Sequence, residues 1–166
     1  MLKRIAPLFL ISCSVGLSGC TGLRPLYGSS GTNGSVAADI SFLAVAEQHT
    51  RSGQIVRNQL LDGVKPGQSR YNLKLDVTER VIDVASLPST LGSRKRYALS
   101  AHYELIDGVG GKSISSGDSF SNVEFDTINQ PVADLQAADD ARDRAGRELG
   151  QDLRLRIAVF LSASKG

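Results

Sequence analysis

From Pro131 to Phe160 the chain carries apolar side chains at Leu135, Ala138, Ala141, Ala145, Leu149, Leu153, Ile157 and Phe160, stepping by three or four. That spacing is the period of an α-helix, and it draws a single apolar stripe along a helix of roughly 30 residues. Proline suits its first turn, where an N–H has no helical partner anyway. A stripe this long must be buried against another element. The opposite side carries Asp140/Arg144, Asp143/Arg147 and Arg144/Glu148 at i,i+4, which reads as a solvated face laced with weak ion pairs.

Earlier segments supply the surface that the stripe needs. Tyr71, Leu73, Leu75 and Val77 alternate with Asn72, Lys74, Asp76 and Thr78, the period of a half-buried strand. The apolar phase then moves to Ile82 and Val84, which predicts a bulge near Arg80 to Ile82. A loop over Pro88 to Ser93 leads to a second alternation at Tyr97, Leu99, Ala101, Tyr103 and Leu105. The glycines of "DGVGGK", residues 107–112, make a hairpin turn. A third strand follows from Ile114 to Phe125, serine-rich, with Phe120, Val123 and Phe125 as its apolar residues.

Ahead of these, the apolar run Val36 to Ala46 reads as a buried strand. Thr50 or Ser52 can cap the helix after it. Val56, Leu60 and Val64 mark that helix's inner face, and Pro66-Gly67 ends it. The expected order is β-α-β-β-β-α. The fold class is α+β, an antiparallel sheet of about four strands with both helices on one face. One domain over residues 36–166 accounts for all of it.

The N-terminus has a separate logic. Lys3 and Arg4 precede an apolar run from Ile5 to Leu17, too short to span a bilayer but suited to a secretory signal. The run closes on Leu17-Ser18-Gly19-Cys20, an aliphatic, two small residues and a cysteine: the bacterial lipobox. Residues 1–19 are thus expected to be a lipoprotein signal peptide, and Cys20 the acylated first residue of the mature chain. Cys13 leaves with the signal, and no thiol remains for a disulfide, a metal or a nucleophile. Residues 20–35 form a lipidated tether with a flexible "SSGTNGS" stretch. The tether also holds the apolar and basic group Arg24, Pro25, Leu26 and Tyr27.

Cleavage changes the charge. The whole chain has 19 basic and 17 acidic side chains, and the loss of Lys3 and Arg4 leaves 17 against 17. The apparent basicity belongs to the signal, and nothing in the balance argues for a nucleic-acid partner. About 147 residues remain, enough to bury roughly two-thirds of the unfolded surface in one self-sufficient domain.

"GVGGKS", residues 108–113, resembles the end of a phosphate-binding loop, but Ile106 stands where the motif needs glycine, and a strand follows instead of a helix. His49 and His102 have no second histidine or cysteine beside them in the sequence, so no zinc pattern forms. No G-x-S-x-G elbow occurs. Asp139 and Asp140 are neighbours on a helix and point about 100° apart, so they do not converge. The expectation is a protein that is not an enzyme and that carries no cofactor beyond the lipid on Cys20. One cluster stands out: Arg94, Lys95 and Arg96 at the start of a strand. Three cations there can guard a sheet edge against pairing, or they can form a phosphate-binding tip. In the second case Arg94 and Arg96 share a face, in phase with His102 and opposite Tyr97 and Leu99.

These residues resemble the LPS-assembly lipoprotein LptE family in its alphaproteobacterial form. The resemblance rests on the lipobox at Cys20 with Leu23-Arg24-Pro25-Leu26-Tyr27-Gly28 after it, and on Arg51-Ser52-Gly53-Gln54 and Val56-Arg57-Asn58-Gln59-Leu60 on the first helix. It extends to Tyr71-Asn72-Leu73, to Tyr103-Glu104-Leu105 with Asp107 and Gly111-Lys112, and to the alanine- and arginine-rich last helix. It spans nearly the whole mature chain, and Asp62-Gly63 is where the first helix departs from it. The resemblance implies a sheet with two helices, inside the lumen of the outer-membrane β-barrel LptD as a plug. It implies a part in barrel assembly and in lipopolysaccharide delivery to the cell surface. The site residues that follow are Cys20 for lipidation, Arg24, Leu26 and Tyr27 for partner or membrane contact, and Arg94, Lys95 and Arg96 for lipopolysaccharide phosphate. Thr21, in place of an inner-membrane-retaining aspartate, implies the outer membrane, with the domain on the periplasmic side. The rival readings are a lipid-anchored periplasmic carrier of a hydrophobic ligand and, with no site found for it, a lipid-anchored enzyme.

Overall fold

A computed structural model describes residues 40, 42–65, 67, 69–86 and 92–164. Cys20, Arg24, Leu26, Tyr27, the signal and the tether all lie outside these residues. The described chain runs β1 (Leu43–Val45), α1 (Arg51–Leu61), β2 (Tyr71–Ser86), β3 (Ser93–Asp107), β4 (Ser113–Thr127) and α2 (Pro131–Ala163). The fold is α+β in the expected element order, and one sheet holds the strands in the order β1-β2-β3-β4.

The sheet is mixed, not purely antiparallel. β1 pairs parallel to β2, Leu43 beside Tyr71 and Val45 beside Leu73. The reason is topological: α1 carries the chain back across the sheet before β2 begins, and such a crossover returns the next strand in the same direction. β1 is also short, three residues within the 36–46 run expected to be strand. The remaining pairs are antiparallel hairpins, β2 with β3 from Tyr71↔Asp107 to Ser86↔Ser93, and β3 with β4 from Ser93↔Thr127 to Ile106↔Ser113. The glycine turn forms as read: Asp107 N–H donates to the Lys112 carbonyl at 2.9 Å, and Gly111 adopts φ +63°, a conformation that glycine tolerates best.

The inner face of β3 is the floor of the core. Tyr97, Leu99, Ala101, Tyr103 and Leu105 are all buried, as are Leu73 on β2 and Val123 and Phe125 on β4. Above them lie Val56 and Leu60 of α1 and Ala141, Ala145, Leu149, Leu153, Ile157 and Leu161 of α2. The stripe found in the sequence is therefore the core-facing side of α2. The two helices approach closely because α2 offers glycine where they cross. A Cβ on Gly146 would lie 2.6 Å from Ile55 Cγ2, and one on Gly150 would lie 2.7 Å from Gln59 Cβ. Thr50 is the N-cap of α1, accepting from Gly53 N–H at 3.1 Å, whereas Ser52 sits inside the helix. α1 stops at Leu61, ahead of the expected Pro66-Gly67, with Gly63 at φ +73° just beyond.

Two expectations need correction, those for Leu135 and for the β2 bulge, and Phe120 takes the outer face. Leu135 is 62% exposed, because α1 is only 11 residues long and leaves the first turns of α2 without a helical neighbour. Phe120 is 73% exposed: it stands one residue out of phase with Val123 and Phe125, so it points to the outer face. The irregularity in β2 falls between Asp83 and Ala85, where Val84 is the extra residue, and not at Arg80 to Ile82. The apparent change of phase in the sequence arises because Glu79 takes an inner-face position.

Candidate functional site

The outer face of the sheet carries most of the charged side chains that the sequence singled out. Arg94 and Arg96 share this face with His102, and Tyr97 and Leu99 point the other way. Each cation meets an acid on the neighbouring strand. Arg94 holds Asp126 through two bonds, Nε to Oδ1 at 2.8 Å and a terminal nitrogen to Oδ2 at 3.3 Å. Arg96 donates to Glu124 at 2.7 Å. Lys95 leaves the group for the other side, its Nζ 3.5 Å from Asp83 Oδ1. Farther along the outer face, His102 Nδ1 lies 2.8 Å from Asp118, with Asp76 as the cross-strand neighbour on β2, and Lys74 Nζ is 3.4 Å from Glu104. The Asp126 carboxyl is held below its ordinary value by the Arg94 hydrogen bond, and Arg94 is raised in turn by the same bond.

Two things follow for the Arg94–Arg96 triplet. β3 is hydrogen-bonded on both sides, so the triplet does not guard a sheet edge. Its three cations are also matched by three acids. An arginine has five N–H donors, and Asp126 and Glu124 use only some of them. Both side chains are partly exposed, Arg94 at 53% and Arg96 at 40%, and keep N–H donors that these two acids do not use.

A second cluster was not visible in the sequence. Under the helices, Glu79 accepts hydrogen bonds from Ser52 and from the Tyr97 hydroxyl. Ser52 Oγ is also 2.9 Å from the Tyr97 hydroxyl, and Arg142 Nε donates to that hydroxyl at 3.1 Å while binding Asp139. The Arg142 guanidinium lies 5.7 Å from the centre of the Tyr97 ring. Burial pushes the Glu79 carboxyl up, but the Ser52 and Tyr97 bonds and the Arg142 charge outweigh it, and the group falls below its ordinary value. Tyr97 moves the opposite way, raised by burial and by the adjacent carboxylate. Ser52 and Tyr97 are buried, and all four elements α1, β2, β3 and α2 meet here. These bonds tie both helices to the sheet. The signal that could have found it is Glu79 itself, a charge in the inner phase of an otherwise apolar alternation.

α2 meets β4 through polar contacts too: Ser119 donates to Asp152, and Ser121 donates to Glu148 at 2.7 Å. Of the expected pairs on the helix, Asp140–Arg144 forms at 2.9 Å, while Glu148 takes Ser121. Among the described residues no group of three or more His, Cys, Asp or Glu is placed to hold a metal, and no helix is long and apolar enough to cross a membrane.

No protein-family description matches the sequence, and no curated protein matches it. Solved structures do match. A candidate lipoprotein from Caulobacter crescentus CB15 superposes with a TM-score of 0.69 at 25% identity, over 79% of this chain and 98% of that one. The chain shares its fold with lipoproteins. A minor lipoprotein from Acinetobacter baumannii gives a TM-score of 0.53 at 15% identity, over 70% and 88% of the two chains. Rare lipoprotein B from Shewanella oneidensis gives 0.53 at 12% identity, over 74% and 93%. In these last two the likeness is of the lipoprotein fold alone.

Proposed function

We propose that this protein is an outer-membrane lipoprotein of the LptE type. It is anchored through acylated Cys20, with its domain on the periplasmic side. It plugs the LptD β-barrel, assists that barrel's assembly and takes part in lipopolysaccharide transport and insertion. The observation that carries the reading is the coincidence of a lipobox at Cys20 with a domain whose fold matches lipoproteins along nearly their whole length. A filled core supports a plug over a carrier. Leu60, Leu99, Leu105, Leu149 and Leu153 occupy the space between sheet and helices where a carried ligand would sit. The protein acts without catalysis and without a cofactor other than its covalent lipid, and its partners do not include nucleic acid.

In this reading Arg24, Leu26 and Tyr27 contact the barrel or the membrane near the anchor. Arg94 and Arg96 contact lipopolysaccharide phosphates with the donors that Asp126 and Glu124 leave over, and Lys95, turned to Asp83, contributes less. Purification of the tagged chain from detergent-solubilised membranes tests the core of the proposal. The expected result is a heat-resistant β-barrel in stoichiometric amount. Recovery of the chain alone, with extractable lipid, would favour the carrier and overturn the plug.

A further inference from the structure

We propose that the end of the domain nearest the tether rests on an anionic phospholipid surface, with Val109 dipping into it and Arg70 and Lys112 meeting headgroup phosphates. The inference rests on anchoring through acylated Cys20 and is independent of the barrel.

The sheet gathers these residues at one end. β1 runs parallel to β2, so both strands start there, and Tyr71 at the start of β2 pairs with Asp107 at the end of β3. The chain thus enters the sheet beside the 107–112 turn: the Phe42 carbonyl accepts from Arg70 N–H at 2.8 Å and from Tyr71 N–H at 3.2 Å. The turn is braced against the same arginine. Gly108 N–H donates to the Arg70 carbonyl at 2.8 Å, and a Cβ on Gly108 would lie 2.7 Å from that oxygen. Asp107 Oδ1 accepts from Val109 N–H at 3.2 Å. Val109 is held out at the tip, 90% exposed, the most exposed of the large hydrophobics described. Next to the turn, Arg70 and Lys112 border a cleft of about 430 Å³ whose apolar lining is Tyr71, Ile114, Phe160 and Leu161.

Charge and reach point to a lipid surface. Elsewhere on the sheet Lys74, Arg94, Lys95 and Arg96 each meet an acid. Arg70 and Lys112 form no ion pair among the described residues, and the Arg70 guanidinium instead lies over the Tyr71 ring, 5.4 Å from its centre. From residue 20 on, the residues outside the described ones carry one acidic side chain, Asp39, against Arg24 and Lys165, so they bring no surplus of acid. Unpaired cations around an exposed apolar tip suit a leaflet, where anionic phosphates lie outside hydrocarbon. A tether of about 20 residues spans roughly 25 Å between its ends as a flexible coil. The end that holds Arg70, Val109 and Lys112 therefore stays within reach of the leaflet. The far end also exposes apolar side chains, Ile82, Ile128 and Val132, but strands of 15 residues put it about 50 Å away. Arg94, Lys95 and Arg96 at that end are among the matched cations.

The chain has no tryptophan, so one introduced indole reports on its own surroundings. Val109→Trp, Phe120→Trp and Ile128→Trp sample the near end, the middle of the outer face and the far end. Each is made in the purified full-length lipidated chain and anchored through Cys20 in vesicles of phosphatidylcholine, with or without phosphatidylglycerol. In the anionic vesicles Val109→Trp should emit at shorter wavelength and lose about half its emission to brominated lipid. Phe120→Trp and Ile128→Trp should emit as in water. The quenching of Val109→Trp should fall at least twofold in neutral vesicles, at high salt, and when Arg70→Gln and Lys112→Gln are added to the same chain. Arg70→Lys should keep it. Equal quenching at the three positions, equal quenching in neutral and anionic vesicles, or deeper quenching of Ile128→Trp overturns the proposal and leaves the anchor standing. A chain that washes off the vesicles overturns the anchor at Cys20, and this proposal with it.

Discussion

The two faces of the sheet are built on the same three long strands and held by opposite means. On the inner face β3 presents Tyr97, Leu99, Ala101, Tyr103 and Leu105, all buried, to two helices. On the outer face the same strand presents Arg94, Arg96, His102 and Glu104 to acids and bases across the strand gap. Burial of a Leu-sized side chain contributes about 1.5–3 kcal/mol. An exposed ion pair contributes about 0–1 kcal/mol and fades with salt. Stability therefore lives on the inner face. The outer face is free to serve pairing register and recognition, because changes there are cheap in fold terms.

Each of the following changes probes that asymmetry. The largest effect is expected from Leu149→Ala, which empties a fully buried position under α2 and should lower stability by about 2–5 kcal/mol in chemical denaturation. A change below about 0.5 kcal/mol would place the stripe against a partner and erase the contrast between the faces.

Glu79→Gln comes next, since it breaks the polar knot of Ser52, Glu79, Tyr97 and Arg142 on the inner face. The charged acceptor of two hydrogen bonds is lost, and about 1–2 kcal/mol should follow, reduced by the partial exposure of the group. The pH dependence has a definite sign. The Glu79 carboxyl lies below its ordinary value of 4.5 in the folded state, so its contribution is present above that pH and is lost as pH falls through the lowered folded value. Tyr97 is raised above its ordinary 10.0, so its contribution is present below pH 10 and lost as pH climbs past it. Glu79→Gln should flatten the acid limb of the stability profile, and Tyr97→Phe the alkaline limb. Unchanged limbs would mean that the knot does not couple to folding.

The smallest stability effect belongs to the outer face. Arg94→Ala with Arg96→Ala should lower the thermal midpoint by only a few degrees. The same double variant should bind lipopolysaccharide more weakly, with a deficit that shrinks at high salt. A large loss of stability would mean that the ion-pair ladder, and not the core, holds β3 to β4. Undiminished binding at low salt would leave the arginines as register pairs only.

The two faces also differed in how well the sequence revealed them. Inner positions repeat locally, every second residue on β3 and every third or fourth on α2, so Leu99, Leu149 and Leu153 could be named from spacing alone. Outer positions depend on partners 28–32 residues away, as Arg96–Glu124 and Arg94–Asp126 do, and no local pattern announces them. The parallel pairing of β1 was hidden for the same reason: it is a property of the α1 crossover, not of residues 43–45. The β2 bulge was placed too early because Glu79, an inner-face carboxylate with its own partners, looks like a break in the pattern. Leu135 was misplaced because periodicity says which side of a helix is apolar but not how far its neighbour extends.

All of these faces serve a domain that the account ties to a membrane by one residue. Intact mass spectrometry of the mature N-terminus tests this most directly. The expected mature chain begins at Cys20 and carries the added mass of several acyl chains, and Cys20→Ala should abolish both cleavage at this site and lipid attachment. A mature chain that begins with an unmodified Cys20 or with Thr21 would contradict it.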